Sequence, residues 1–130
     1  MQAPPYGSGR DLNGSYDTVL PRVLGALKNE GFGVITEIDV RRTMKDKLDV
    51  DVPAHVILGA CNPKLAHAAL EAEPDLGLLL PCNVVVYEID SGTRVAVVNA
   101  KAMLGMVGNE HLAPIADEVQ ARLNRVLESL

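Results

Sequence analysis

The chain has no tryptophan, one phenylalanine and three tyrosines. A core built with so few rings has to come from Val, Leu, Ile, Ala and Met. Cations are also scarce: 12 Lys and Arg stand against 17 Asp and Glu, a net charge of −5. Surfaces that hold nucleic acid or an anionic membrane need clustered Lys and Arg, so neither partner is expected. No apolar run reaches the roughly 18 residues of a membrane span. The stretch Met1-Gln2-Ala3-Pro4-Pro5 has neither a basic n-region nor an apolar h-region, so no signal peptide is expected. There are only two cysteines among 130 residues. A chain of that length buries roughly 65–70% of its unfolded surface, so folding requires neither a disulfide nor a metal. The expected compartment is the cytoplasm, with the thiols reduced. Also missing are a P-loop, a dinucleotide-binding glycine pattern, a Ser-His-Asp arrangement and a zinc signature. No cofactor is expected and no metal site can be assigned with conviction. The balance is against an enzyme.

What is there reads as one domain. Residues 1–14 are expected to be an N-terminal extension, either disordered or an edge strand over Tyr6 to Asn13, where Gly7 and Gly9 weaken pairing. Residues 15–130 form the domain proper. A helix runs from about Asp17 to Glu30, capped by Ser15 or Asp17. Val19, Leu20, Val23, Leu24 and Leu27 form its apolar stripe. Pro21 belongs in or near its first turn, and Gly31 stands at the left-handed C′ position. Gly33 to Val40 alternates as a strand, with Val34, Thr36, Ile38 and Val40 on one face and Ile35, Glu37 and Asp39 on the other. Arg41 to Leu48 fits a surface helical turn.

Ala54 to Cys61 is a second strand whose two faces are both largely apolar. Asn62 then caps a helix with Pro63 at its first position. That helix runs to about Ala72, with Leu65, Ala66, Ala69 and Leu70 inward. Leu78 to Ile89 is the next strand region, with pairing from Cys82 or Asn83 because Pro81 cannot donate. Asp90-Ser91-Gly92 turns it back into a strand over Thr93 to Asn99. A short helical element over Ala100 to Gly108 precedes a final helix. Leu112, Ile115, Ala116, Val119, Leu123, Val126 and Leu127 line that helix at helical spacing. The methionines Met44, Met103 and Met106 are expected to pack.

This order gives a two-layer α+β domain with a mainly antiparallel sheet and helices on one face. The other face, carrying Ile57 and one set of strand valines, would be an exposed apolar patch. A C2 homodimer through that sheet face is the simple solution. The alternative is an element of the same chain folding back over it.

Three blocks carry a resemblance. They are Gly31 to Val40 (GFGVITEIDV), Ile57 to Pro63 (ILGACNP) and Gly77 to Val84 (GLLLPCNV). From Ser15 onward the chain resembles the bacterial and archaeal family called domain of unknown function 302. The resemblance implies a TATA-box-binding-protein-like arrangement, a dimer, and no established activity. The family's usual Asp-Pro after the fourth strand is replaced here by Asn99-Ala100, so any site built on that pair would be altered.

The sharpest chemical feature is the two corners Cys61-Asn62-Pro63 and Pro81-Cys82-Asn83. Cys61 precedes a helix N-terminus, where free N–H groups and the helix dipole favour a thiolate. Two thiolates could form a redox pair, hold a soft metal, or act as a nucleophile. Against this, free cysteine is among the most buried residue types, and no Cys-x-x-Cys is present. Asn62 and Asn83 either line a pocket or simply cap and turn the chain. His55 and Cys61 share strand parity but stand roughly 20 Å apart along a strand. His67 and His111 read as surface positions. Glu37 and Asp39 read as an exposed face.

Two functions follow. One is a homodimeric, non-enzymatic small-ligand or interaction module, its site lined by Cys61, Asn62, Cys82 and Asn83 and suited to an anion or a thiophilic ligand. The other is a thiol-based redox enzyme, or a sulfur or soft-metal carrier, using Cys61 and Cys82.

Overall fold

A computed structural model describes residues 3–130; residues 1 and 2 of the expected extension lie outside the described residues. Among the described residues, strands β1 (Gly7–Leu12), β2 (Gly33–Asp39), β3 (His55–Cys61), β4 (Cys82–Ile89) and β5 (Gly92–Val98) form one antiparallel sheet. Its order is β1-β5-β4-β3-β2. The helices are α1 (Tyr16–Asn29), α2 (Val40–Leu48), α3 (Pro63–Ala72), α4 (Ala100–Gly105) and α5 (Ala113–Glu128). The expected α+β class, antiparallel sheet and helical layer are all present.

Local chemistry accounts for the boundaries. Ser15 accepts the Thr18 amide and starts α1. Gly31, at φ 82°, ends it. The Gly31 amide donates to Lys28 O and the Phe32 amide to Leu27 O, which satisfies the last carbonyls. Pro21 is the sixth residue of α1, just past its first turn, because the helix begins at Tyr16. Both Pro21 and Asp17 are exposed, so water can satisfy the Asp17 carbonyl that proline leaves without a donor.

The alternation expected for β2 is broken. A bulge between Val34 and Thr36 inserts Ile35 as an extra residue. Val34 therefore pairs with Ala60 on the helix side, whereas Thr36 and Ile38 pair with Gly59 and Ile57 on the outer side. The next segment is a full helix, α2, because Asp39 accepts the Arg42 amide at 3.0 Å and caps it.

The core lies between the sheet and helices α1 and α5. Val56, Leu58, Val84, Val86, Val95 and Val97 meet Val19, Val23, Leu27, Leu123 and Val126. Each such burial contributes roughly 1.5–3 kcal/mol. A smaller cluster of Ala69, Leu76, Leu104, Leu112 and Ala116 ties α3 to α4 and α5 beside this core. Met106 is 70% exposed and does not pack as expected.

The outer sheet face is mixed. One register row carries His55, Tyr87, Arg94 and Asp11 across β3, β4, β5 and β1. His55 stacks on Tyr87 with ring centroids 4.9 Å apart. The Arg94 guanidinium grips both Asp11 carboxylate oxygens at 2.6 and 2.9 Å and donates to the Tyr87 hydroxyl at 3.3 Å. The neighbouring row, Ile57, Val85 and Ala96, is apolar.

Candidate functional site

Antiparallel pairing of β3 with β4 sets Cys82 opposite Ala60, so both cysteine corners fall at one end of the sheet. Asn62 Oδ1 accepts the Leu65 amide at 3.2 Å, and Pro63 occupies the first turn of α3. Between this corner, α3 and α5 lies a cavity of about 230 Å³. Cys61, Asn62 and Cys82 line it together with apolar side chains that include Phe32, Leu65, Leu104 and Ile115. No charged side chain belongs to the lining. Ile35, the bulge residue, and Leu70 also line it; they are 62% and 39% exposed and mark its mouth. Leu70 was expected to face inward and instead forms this rim.

Of the four residues singled out in the sequence, three meet at the cavity. Asn83 does not. It follows Cys82 on the same strand, so it points to the other face, pairs with Gly59, and is exposed. There it borders a wider depression, of about 790 Å³, between the N-terminal Pro4–Tyr6 segment and the outer sheet face. The two corners look alike in sequence, but one runs from strand into helix cap and the other from loop into strand.

Both cysteines are free thiols. Cys82 is 5% exposed, and burial, with the neighbouring Cys61 adding to it, pushes its pKa from 9.0 up to about 11. It is therefore protonated throughout the neutral range, and the expectation of two thiolates does not hold for Cys82. The raised pKa also has a consequence for stability. Above its unfolded pKa the unfolded chain releases the thiol proton while the folded chain keeps it, so stability is intact below about pH 9 and falls toward pH 11. Two pKa units correspond to about 3 kcal/mol. Urea denaturation of Cys82→Ala is expected to show a correspondingly shallower loss over this interval than the parent chain. Equal slopes would show that Cys82 is not desolvated.

The histidines stay apart from this site. The His55 ring lies against Tyr87, and burial lowers its pKa. His67 pairs with Glu71 at 3.0 Å on the surface of α3. His111 is exposed, its amide accepted by Asn109. Among the described residues no three His, Cys, Asp or Glu side chains are grouped to hold a metal ion. The apolar lining from Leu104, Ile115 and Val119 was invisible as a site in sequence, because such residues look the same whether they fill a core or border a void. The Tyr87–Arg94 pair was open to discovery, since both stand equally far from the Asp90-Ser91 turn.

The family model "Domain of unknown function DUF302" matches residues 9–130. The chain belongs to the DUF302 family. A crystal structure of an uncharacterized conserved DUF302 protein from Bacillus stearothermophilus is similar at 28% identity and a TM-score of 0.88. The match covers 97% of this chain and 98% of that one. No curated protein matches. In this DUF302 chain Asn99, at the position of the altered pair, accepts the Ala102 amide at 3.0 Å and caps α4. Its Nδ2 also donates to Pro5 O at 3.4 Å. No helix among the described residues is long and apolar enough to cross a membrane.

Proposed function

We propose that this DUF302 chain is a cytoplasmic, homodimeric module without enzymatic activity of its own, which binds a small ligand in the cavity beside Cys61, Asn62 and Cys82. The observation that carries this reading is the cavity itself: about 230 Å³, apolar and partly open, in a domain this small. The thiophilic side of the site is supported by the presence of both cysteines, Cys61 and Cys82, among the lining residues. The anionic alternative is less well supported, because no cationic side chain borders the cavity and the Leu65 amide at the start of α3 is already donated to the Asn62 cap. Thiol-based catalysis is disfavoured by the protonated, buried Cys82.

Homodimerisation is proposed through the outer sheet face, centred on the apolar row of Ile57, Val85 and Ala96. The Arg94–Asp11 pair, already satisfied within one chain, would border the interface.

Crystals pressurised with xenon test the cavity, because xenon enters apolar voids without needing polar partners. A xenon atom between Cys82 and Leu65 is expected; an empty cavity under pressure would overturn the reading. Light scattering on the size-exclusion peak is expected to give a dimer mass, and a monomer at micromolar concentration would remove the dimer from the proposal.

A further inference from the structure

We infer that the cavity takes a small neutral ligand consisting of one aromatic ring, or an apolar group of that size. This rests on the small-ligand reading above and narrows it.

Size comes first. An apolar cavity of roughly 150 Å³ stays dry and takes benzene. The present cavity, at about 230 Å³, matches a ring with a short substituent. Charge comes second. Every lining residue other than Cys61, Asn62 and Cys82 is apolar, and none is ionic. A carboxylate or ammonium carried inside would lose its hydration with nothing to replace it. The burial that keeps Cys82 protonated acts in the same direction on any ligand charge.

Polarity comes third. The Asn62 amide makes no demand on the ligand: its Oδ1 accepts the Leu65 amide, and its Nδ2 lies beside Gly31, outside the lining. The cysteines add soft, polarizable contacts to a ring. The route in passes Ile35, placed at the mouth by the β2 bulge, and Leu70 on α3.

Acetophenone and benzoate make the test, since they share a ring and a size but differ in charge. Each is titrated into the full-length, isotope-labelled protein and followed by amide chemical shifts. Acetophenone is expected to shift Cys61, Asn62, Leu65 and Ala66 saturably, and to bind at least about tenfold more tightly than benzoate. Ala66, half-buried on α3 at the cavity wall, provides the control. Ala66→Phe fills the space and is expected to abolish those shifts; Ala66→Leu serves the same purpose if the larger ring prevents folding.

Benzoate binding as tightly as acetophenone would overturn the neutral-ligand inference, while a xenon site would leave the small-ligand reading standing. Acetophenone shifts that are scattered, absent, or unchanged in both Ala66 variants would overturn it as well. Failure of xenon together with acetophenone would remove the underlying reading.

Discussion

Replacing Gly92 by alanine is expected to remove about 3–5 kcal/mol of stability. Gly92 opens β5 at φ 148°, a region that residues with a Cβ rarely enter. An added methyl there would overlap the Leu12 carbonyl oxygen and press on the Asn13 backbone at 3.0 Å. Both obstacles are main chain, so neither can swing aside. Relief would require β1 to part from β5, where Leu12 pairs with Thr93. Typical domains have only about 5–15 kcal/mol in total, so much of the protein's margin would be lost. Gly25→Ala is the matched control: nothing lies within 4 Å of its added methyl, and it sits in a helix. That change is expected to stabilise by about 0.5–1 kcal/mol. Urea midpoints for the two variants should move in opposite directions; a Gly92→Ala loss below about 1 kcal/mol would refute the argument.

The second large effect is expected at Gly59, in the middle of β3. Gly59→Val should destabilise by about 3 kcal/mol, the upper end of ordinary overpacking. Its Cβ would overlap the Thr36 hydroxyl and stand 2.7 Å from the Pro81 ring and 3.3 Å from Thr36 Cβ. The hydroxyl could rotate away; the ring and the Thr36 Cβ could not. Pro81 precedes Cys82, so displacing the ring moves the cavity wall, and xenon occupancy is expected to fall together with stability. Thr36→Ala in the Gly59→Val background should recover part of the loss, because it removes one of the overlaps. An unchanged urea midpoint for Gly59→Val would show that the outer face is looser there than these contacts imply.

The legible parts of the fold are those with local causes. Ser15, Asn62 and Gly31 announce helix ends through their own side chains or dihedral freedom, and each does so in the structure. The β4–β5 hairpin follows from a turn between two valine-rich runs, and it forms with Ile89 opposite Gly92. The β2 bulge was not legible. Val34-Ile35-Thr36-Glu37 alternates well enough to pass for a regular strand, and the extra residue appears only in its register against β3. The consequence is specific: Ile35, expected on a solvent face, becomes the rim of the cavity.

The candidate site divides in the same way. Cys61 and Asn62 were readable because a cap and a strand end are neighbours in sequence. Bringing Cys82 to them required the β3–β4 register, and excluding Asn83 required knowing which face of β4 is buried. The row Asp11–Arg94–Tyr87–His55 joins four strands, one of them from the opposite end of the chain. No pattern along the sequence relates Asp11 to His55.

By itself, then, the sequence determined the class of fold, the positions of its helices and the hairpin. These depend on periodicity, capping and composition, which act over a few residues or over the chain as a whole. Only the tertiary structure decided that an apolar void lies beside two thiols, that one of those thiols is held protonated, and that Asn83 faces away. Those properties depend on strand register and on how completely side chains fill the space between layers, and neither is a property of any single segment.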